Sequence, residues 1–170
     1  LSDCEIVIAA VGECSADIGE ATSKTCLRLS PNQEKLIRSL KEAGKTVITL
    51  VFSGRPLEIK PVLPYSDALV QAWFLGSESA AGLTDVLSGD YNPSGRLSMS
   101  FPQTVGQIPV YYNSYRTGRP YYGQKDHFVS KYLDCPNEPL FSFGYGLSYS
   151  TVEYSDFKVT KEGETCTASV

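Results

Sequence analysis

Residues 5–11 are an isoleucine, valine and alanine run behind a single glutamate, closed by Gly12. A run without polar alternation predicts a strand buried on both faces, as in a parallel sheet covered by helices. Ser30-Pro31-Asn32-Gln33 combines a hydroxyl N-cap, proline at the first helical position and a glutamine three residues on, the pattern of a capping box. Leu36, Ile37, Leu40 and Ala43 then share one helical face, and Gly44 supplies a stop. Residues 46–52 predict a second buried strand, 68–74 a third, and 79–87 a second helix closed by Gly89. Strand, helix, strand, strand, helix predicts an α/β fold: an open, mostly parallel sheet sandwiched by helices.

Beyond the second helix the periodicity weakens. Asn92-Pro93-Ser94-Gly95 has turn chemistry, with proline fixing one φ and glycine free to take a positive one. Leu97, Met99 and Phe101 alternate with polar residues, predicting a half-buried strand that Pro102 stops. Residues 108–149 hold eight of the eleven tyrosines among repeated Gly and Pro turns. A long irregular segment so rich in aromatics is either a functional arm or a strap packed over a neighbouring domain. Val152, Tyr154, Phe157 and Val159, and later residues 165–170, are strand-like again.

Charge and composition narrow the partners. The net charge of -4 is spread among interspersed acids and bases with no basic stripe, so neither nucleic acid nor an anionic membrane is expected. No run approaches the roughly 20 apolar residues of a membrane span. An uncharged ligand fits better. Five cysteines, Cys4, Cys14, Cys26, Cys135 and Cys166, lack Cys-x-x-Cys spacing, so a zinc knuckle or thioredoxin-like site is not expected. They read as reduced thiols of a cytoplasmic protein, with a periplasmic or secreted setting the alternative. No phosphate-binding glycine string occurs, and His127 has no Ser or Cys partner in a recognisable string.

In open α/β sheets ligands gather beyond the carboxyl ends of the strands. The long loop over residues 12–29 and the Ser53-Gly54-Arg55 turn both emerge there. The loop carries Glu13, Asp17, Glu20, Ser23 and Lys24. Arg55 and Arg96 sit beside glycine and proline, where a guanidinium commonly ties backbone carbonyls together, and Trp73 lies in an apolar run that reads as core.

Asp90-Tyr91-Asn92-Pro93-Ser94-Gly95-Arg96-Leu97-Ser98-Met99-Ser100-Phe101-Pro102, followed by Gly106-Gln107-Ile108-Pro109-Val110-Tyr111-Tyr112-Asn113, resembles a signature of glycoside hydrolase family 3, in its β-glucosidase and β-xylosidase branch. Val11-Gly12-Glu13 with Gly19-Glu20-Ala21-Thr22-Ser23-Lys24 is similar to that family's strand and active-site loop, and Leu29-Ser30-Pro31-Asn32-Gln33 to the helix entry after it. Ser53-Gly54-Arg55-Pro56-Leu57, Ala72-Trp73-Phe74-Leu75-Gly76, Thr117-Gly118-Arg119-Pro120 and the closing stretch from Pro139 to Tyr149 follow in the family's order.

The resemblance implies that residues 1–149 are the later part of the second, α/β sandwich domain, and that residues 150–170 open a fibronectin type III-like β-sandwich. Two strands of such a sandwich do not stand alone in water, so the sequence reads as an internal piece of a larger protein. It further implies a retaining exo-β-glycosidase, a β-glucosidase before a β-xylosidase, hydrolysing terminal non-reducing β-D-glucosyl residues without metal or organic cofactor. The catalytic nucleophile, an aspartate, would sit on a (β/α)8 barrel domain outside this sequence, and the acid/base glutamate on the loop described above.

Glu20 is the favoured acid/base, because flanking Gly19 gives a carboxyl at the loop's far reach the freedom to turn toward another domain. Glu13 is the second candidate, closer to the sheet and suited to orienting the loop or bonding sugar hydroxyls. Asp17, Ser23 and Lys24 are candidate substrate contacts. Lys24 stands where the branch has arginine, which keeps the charge and loses the planar fork. The implied partners are a β-glucoside or β-xyloside, the barrel domain, and a second copy in a homodimer. The rival reading is a non-catalytic carbohydrate-binding or scaffold module of the same fold.

Overall fold

The computed structural model describes residues 3–170. Strands β1 (Ile6–Gly12), β2 (Thr46–Phe52) and β3 (Ala68–Gln71) pair in that order, and both pairings are parallel. Helix α1 (Pro31–Glu42) makes the first crossover. Its capping box forms as the sequence predicts: the Ser30 hydroxyl accepts from Gln33 N, and Ser30 N donates to the Gln33 side chain. The second crossover, residues 53–67, contains only a short 3-10 turn, Leu63–Tyr65.

The core lies on one face of this sheet. The register sets Val7, Ala9 and Val11 beside Val47, Thr49 and Val51. Ile37 and Leu40 of α1, together with Leu57, Ile59, Val62 and Phe101, close over them. Thr49 is buried within this layer, and its hydroxyl is satisfied by Ser66 Oγ at 2.7 Å. At the amino end of β2, Asp67 accepts from Val47 N and from Lys41 Nζ. The Lys41 bond, reinforced by the one from Val47 N, holds that carboxyl below its ordinary value.

Several expectations need correction. Strand β1 is buried on one face only: Ile6 is 59% and Ile8 53% exposed. Only α1 of the two helices contributes to the core, and Leu36 and Ala43 of its expected stripe remain outside. Helix α2 (Ser79–Ser88) ends at left-handed Gly89 as the sequence predicts, but buries no residue. Strand β3 stops at Gln71, before the expected residue 74, and Trp73 takes a positive φ of 56° that an extended strand does not accommodate.

Residues 97–101 form no regular strand. They make one bridge, Phe101 to Phe141, and bonds at Leu97, with a bend between that leaves Met99 exposed. Asn92 to Gly95 is not a turn either, and Gly95 does not take a positive φ. Asn92 is instead a clasp: Oδ1 accepts from Ser148 Oγ and Tyr149 N, while Nδ2 donates to Ser150 Oγ. A Cβ on Gly146 would lie 2.6 Å from Gly95 O, so this close approach is what requires a glycine. The two signature strings are thus two sides of one contact.

Between them runs the arm. Gln107, buried at the end of a short 3-10 turn, Val105–Gln107, fastens its base: Oε1 accepts from Gln103 N at 2.8 Å, and Nε2 lies 3.0 Å from the carbonyls of Pro136, Asn137 and Glu138. Beyond that base, Tyr111, Tyr112, Tyr115, Tyr122, Phe128 and Leu133 are exposed. The last element is an antiparallel hairpin of β4 (Lys158–Glu162) and β5 (Thr165–Ser169), reversed at Gly163 with φ 61°. This replaces the expected strand character of Val152 to Phe157, and every hairpin residue is exposed. No helix among the described residues is long and apolar enough to cross a membrane.

An open β1 face together with an exposed aromatic arm is more apolar surface than a monomeric protein ordinarily shows. Residues 1–170 expressed alone are therefore expected to associate or aggregate, as read by light scattering behind size exclusion. A monomeric species with a cooperative thermal transition would contradict this.

Candidate active site

The site begins where β1 ends. Gly12 has φ 139°, and a Cβ there would sit 1.8 Å from Phe52 O, so only glycine lets β1 and β2 finish side by side. Glu13 N donates to Phe52 O at 2.8 Å, and Gln33 Nε2 donates to Gly12 O at 3.0 Å. Glu13 is thereby delivered against the residues that leave β2.

Its side chain is only 3% exposed. Oε2 accepts from Gly54 N at 3.3 Å. Oε1 receives no aligned hydrogen bond, yet lies 3.3 Å from Arg55 Nε and 3.6 Å from Lys24 Nζ, so the buried charge is compensated by two cations. Lys24 also donates to Asp17 Oδ1 at 2.9 Å, and Asp17 Oδ2 accepts from Cys14 N and Cys14 Sγ. Two carboxylates and two cations make a locally neutral cluster. The Lys24 bond, then the Cys14 thiol and amide, lower Asp17 from 3.8 to about 2, and the same Asp17 bond raises Lys24.

Arg55 reaches from this cluster into the loop. Nη2 donates to Asp17 O at 2.9 Å, and the two terminal nitrogens lie 3.4 and 3.5 Å from Thr22 O. The tie to backbone carbonyls expected for Arg55 is thus present, as it is for Arg96 with Ser94 O and Gly95 O. Between the two clamped carbonyls lies a β-turn, closed by Thr22 N donating to Gly19 O at 3.3 Å and by the Thr22 hydroxyl donating to the same oxygen. Gly19 takes φ 119° and Ala21 φ 59°, and a positive φ at the third position is what a type II turn demands.

Glu20 occupies the second position of that turn. It is exposed, and its carboxylate has no hydrogen-bond or ion-pair partner among the described residues. Ser23 is exposed just beyond the turn, next to Lys24. Glu13, Asp17 and Lys24 are therefore gathered into one cluster, with Glu20 and Ser23 held outside it. Glu13, second candidate for the acid/base and also read as orienting the loop or bonding sugar hydroxyls, is buried against Arg55, Lys24 and Gly54 N.

The pairing of Glu13 with Arg55 was not foreseen, although a signal existed. Parallel register sets Gly12 beside Phe52, so an acid one residue past β1 falls near a base three past β2. An apolar groove of about 440 Å³ borders Arg55, lined by Leu27, Pro56, Met99, Ile108, Tyr112 and Phe143. Glu20 does not line it. Among the described residues no group of three or more His, Cys, Asp or Glu is placed to hold a metal ion.

Over residues 1–149 the sequence matches the glycosyl hydrolase family 3 C-terminal domain. The chain belongs to that family. This family 3 segment is 46% identical over 153 residues to a periplasmic beta-glucosidase of Salmonella typhimurium, an alignment covering 89% of the chain and 20% of that protein. It is 40% identical over 136 residues to a xylan 1,4-beta-xylosidase of Xylanibacter ruminicola, covering 80% of the chain and 14% of that protein. The crystal structure of beta-glucosidase from Listeria innocua in complex with gluconolactone matches it with a TM-score of 0.87 at 48% identity, over 94% of the chain and 22% of that structure. The chain thus spans about a fifth of the Salmonella protein's length.

The lowered Asp17 carboxyl has a defined pH signature. Its charged form is favoured by folding, so the stability it contributes is complete above the ordinary value of 3.8 and is lost as pH falls toward about 2. In the full-length protein the wild type should melt above D17N by a constant margin from pH 8 to about 4, and the margin should shrink only below that. A margin that disappears between pH 7 and 5 would contradict the assignment.

Proposed function

We propose that this chain is the acid/base-bearing part of a retaining exo-β-glycosidase, a β-glucosidase, that hydrolyses terminal non-reducing β-D-glucosyl residues. One observation carries the reading: Glu20 is an exposed, unbonded carboxylate on a turn whose flanks are clamped, while Glu13 and Asp17 on the same loop are engaged by cations. The names borne by the Salmonella and Listeria proteins support glucose over xylose. The Salmonella protein's name also favours the periplasmic alternative over the cytoplasmic one.

In this reading an aspartate on a barrel domain of the same protein attacks the anomeric carbon. Glu20, protonated, gives its proton to the departing glycosidic oxygen as that bond breaks, leaving a glycosyl ester on the aspartate. Glu20, now a carboxylate, takes a proton from water as the water oxygen attacks the anomeric carbon and the ester bond breaks. Configuration is retained by the double displacement. Ser23, Lys24 and Asp17 border the sugar, and Lys24 offers it a single rotatable ammonium in place of a fork. The arm over residues 108–149 straps the neighbouring barrel or a second copy, a further layer covers Ile6 and Ile8, and residues 150–170 open a fibronectin type III-like domain.

The test uses the full-length protein. E20Q should lose hydrolysis of glucosides with poor leaving groups by about 100-fold or more, the ordinary size of a general-acid contribution. Activated aryl glucosides should still form the glycosyl ester, and azide should then restore turnover and yield β-glucosyl azide, since it attacks without needing a base. E13Q should show no such rescue. Rescue at Glu13 and not at Glu20 would reverse the assignment, and rescue at neither would place the acid/base elsewhere.

A further inference from the structure

Resting on the reading of Glu20 as acid/base, we infer that Arg55 is a positioning residue for the catalytic step, a guanidinium brace held by buried Glu13 that fixes both flanks of the turn carrying Glu20. The geometry has three parts. Arg55 donates to Asp17 O, three residues before Glu20, and lies within 3.5 Å of Thr22 O, two residues after it. Arg55 is itself fixed, with Nε 3.3 Å from Glu13 Oε1 and its own carbonyl accepting from Ser53 Oγ at 2.8 Å. Ser53 in turn receives Gln71 Nε2 at 3.0 Å, so the brace is anchored in the ends of β2 and β3.

The turn cannot hold itself in place. Residues 13–29 contain no helix or strand, and its one closing backbone bond is internal. Beneath it there is little room: a Cβ on Gly54 would stand 3.0 Å from the Phe74 ring and 3.9 Å from the Ile18 methyl, so the loop sits closely on the β2 exit. Lys24 adds a second tie through Asp17 and Glu13. Lys24, however, belongs to the loop itself and touches only side chains, whereas Arg55 comes from the turn after β2 and grips the backbone. A planar fork can serve two carbonyls at once, and an ammonium on a flexible stem holds them poorly.

If Arg55 acts through Glu20, its loss must copy the loss of Glu20 in kind. A misplaced carboxyl fails where proton donation matters and is immaterial where it does not. R55A in the full-length enzyme should lower kcat/KM for phenyl glucoside about 100-fold and for 2,4-dinitrophenyl glucoside less than about 5-fold, the scale that a displacement near 1 Å produces. R55K keeps a cation beside Glu13 and so guards against simple misfolding; it should show the same selectivity at about 10-fold. Azide should partly restore kcat for the dinitrophenyl substrate in both variants. Equal losses on the two substrates, or a fall in Tm alone, would overturn the positioning role while leaving Glu20 as acid/base. If E20Q itself lacks the leaving-group selectivity, the reading of Glu20 fails and the role of Arg55 fails with it.

Discussion

A carboxylate that is almost wholly buried must be compensated, and for Glu13 the compensation comes from Arg55 and Lys24. Removing either cation leaves the buried Glu13 charge with the other alone, so the cluster is weakened at its interior end more than at exposed Asp17. Their consequence extends beyond stability. The carboxylate comes from the end of β1, one guanidinium from the turn after β2, and the ammonium from the far side of the loop. A segment without regular structure thereby inherits the rigidity of the sheet.

The sheet exists, in turn, to bring those ends together. Parallel register aligns the final residues of β1 and β2, and the absence of a Cβ on Gly12 lets them finish abreast. The capped start of α1 is tied to the same point through Gln33. What is fixed is the loop's backbone, and what is left unengaged is Glu20. For the role proposed for Glu20 this division is apt, because a proton donor serving a neighbouring domain must be held to within a fraction of an ångström yet not be neutralised by its own scaffold.

Much of this was legible in the sequence because it follows from local rules. The capping box of α1, the Gly89 stop of α2 and the whole of β2 depend on residues near one another in the chain. The errors share a cause as well. Composition shows that Ile6 and Ile8 are apolar without showing what covers them. It gives Leu97, Met99 and Phe101 a strand period, although their bonds to residues 140–145 fall at only two points. Nothing local marks Gln107 as buried, since its place under three carbonyls depends on contacts some thirty residues away. At the site, Glu20 stood out through its glycine and the carbonyl tie of Arg55 through its Gly-Arg-Pro setting, whereas the pairing of Arg55 with Glu13 is a meeting of two strand ends that only register reveals.

The most direct measurement is a crystal structure of the full-length protein trapped with a 2-deoxy-2-fluoroglucosyl ester on its nucleophile. The expected result is Glu20 within hydrogen-bond distance of the water poised over the anomeric carbon, with Arg55 still bonded to the carbonyls of Asp17 and Thr22. A different carboxyl in that place, with Glu20 turned to solvent, would contradict the central claim.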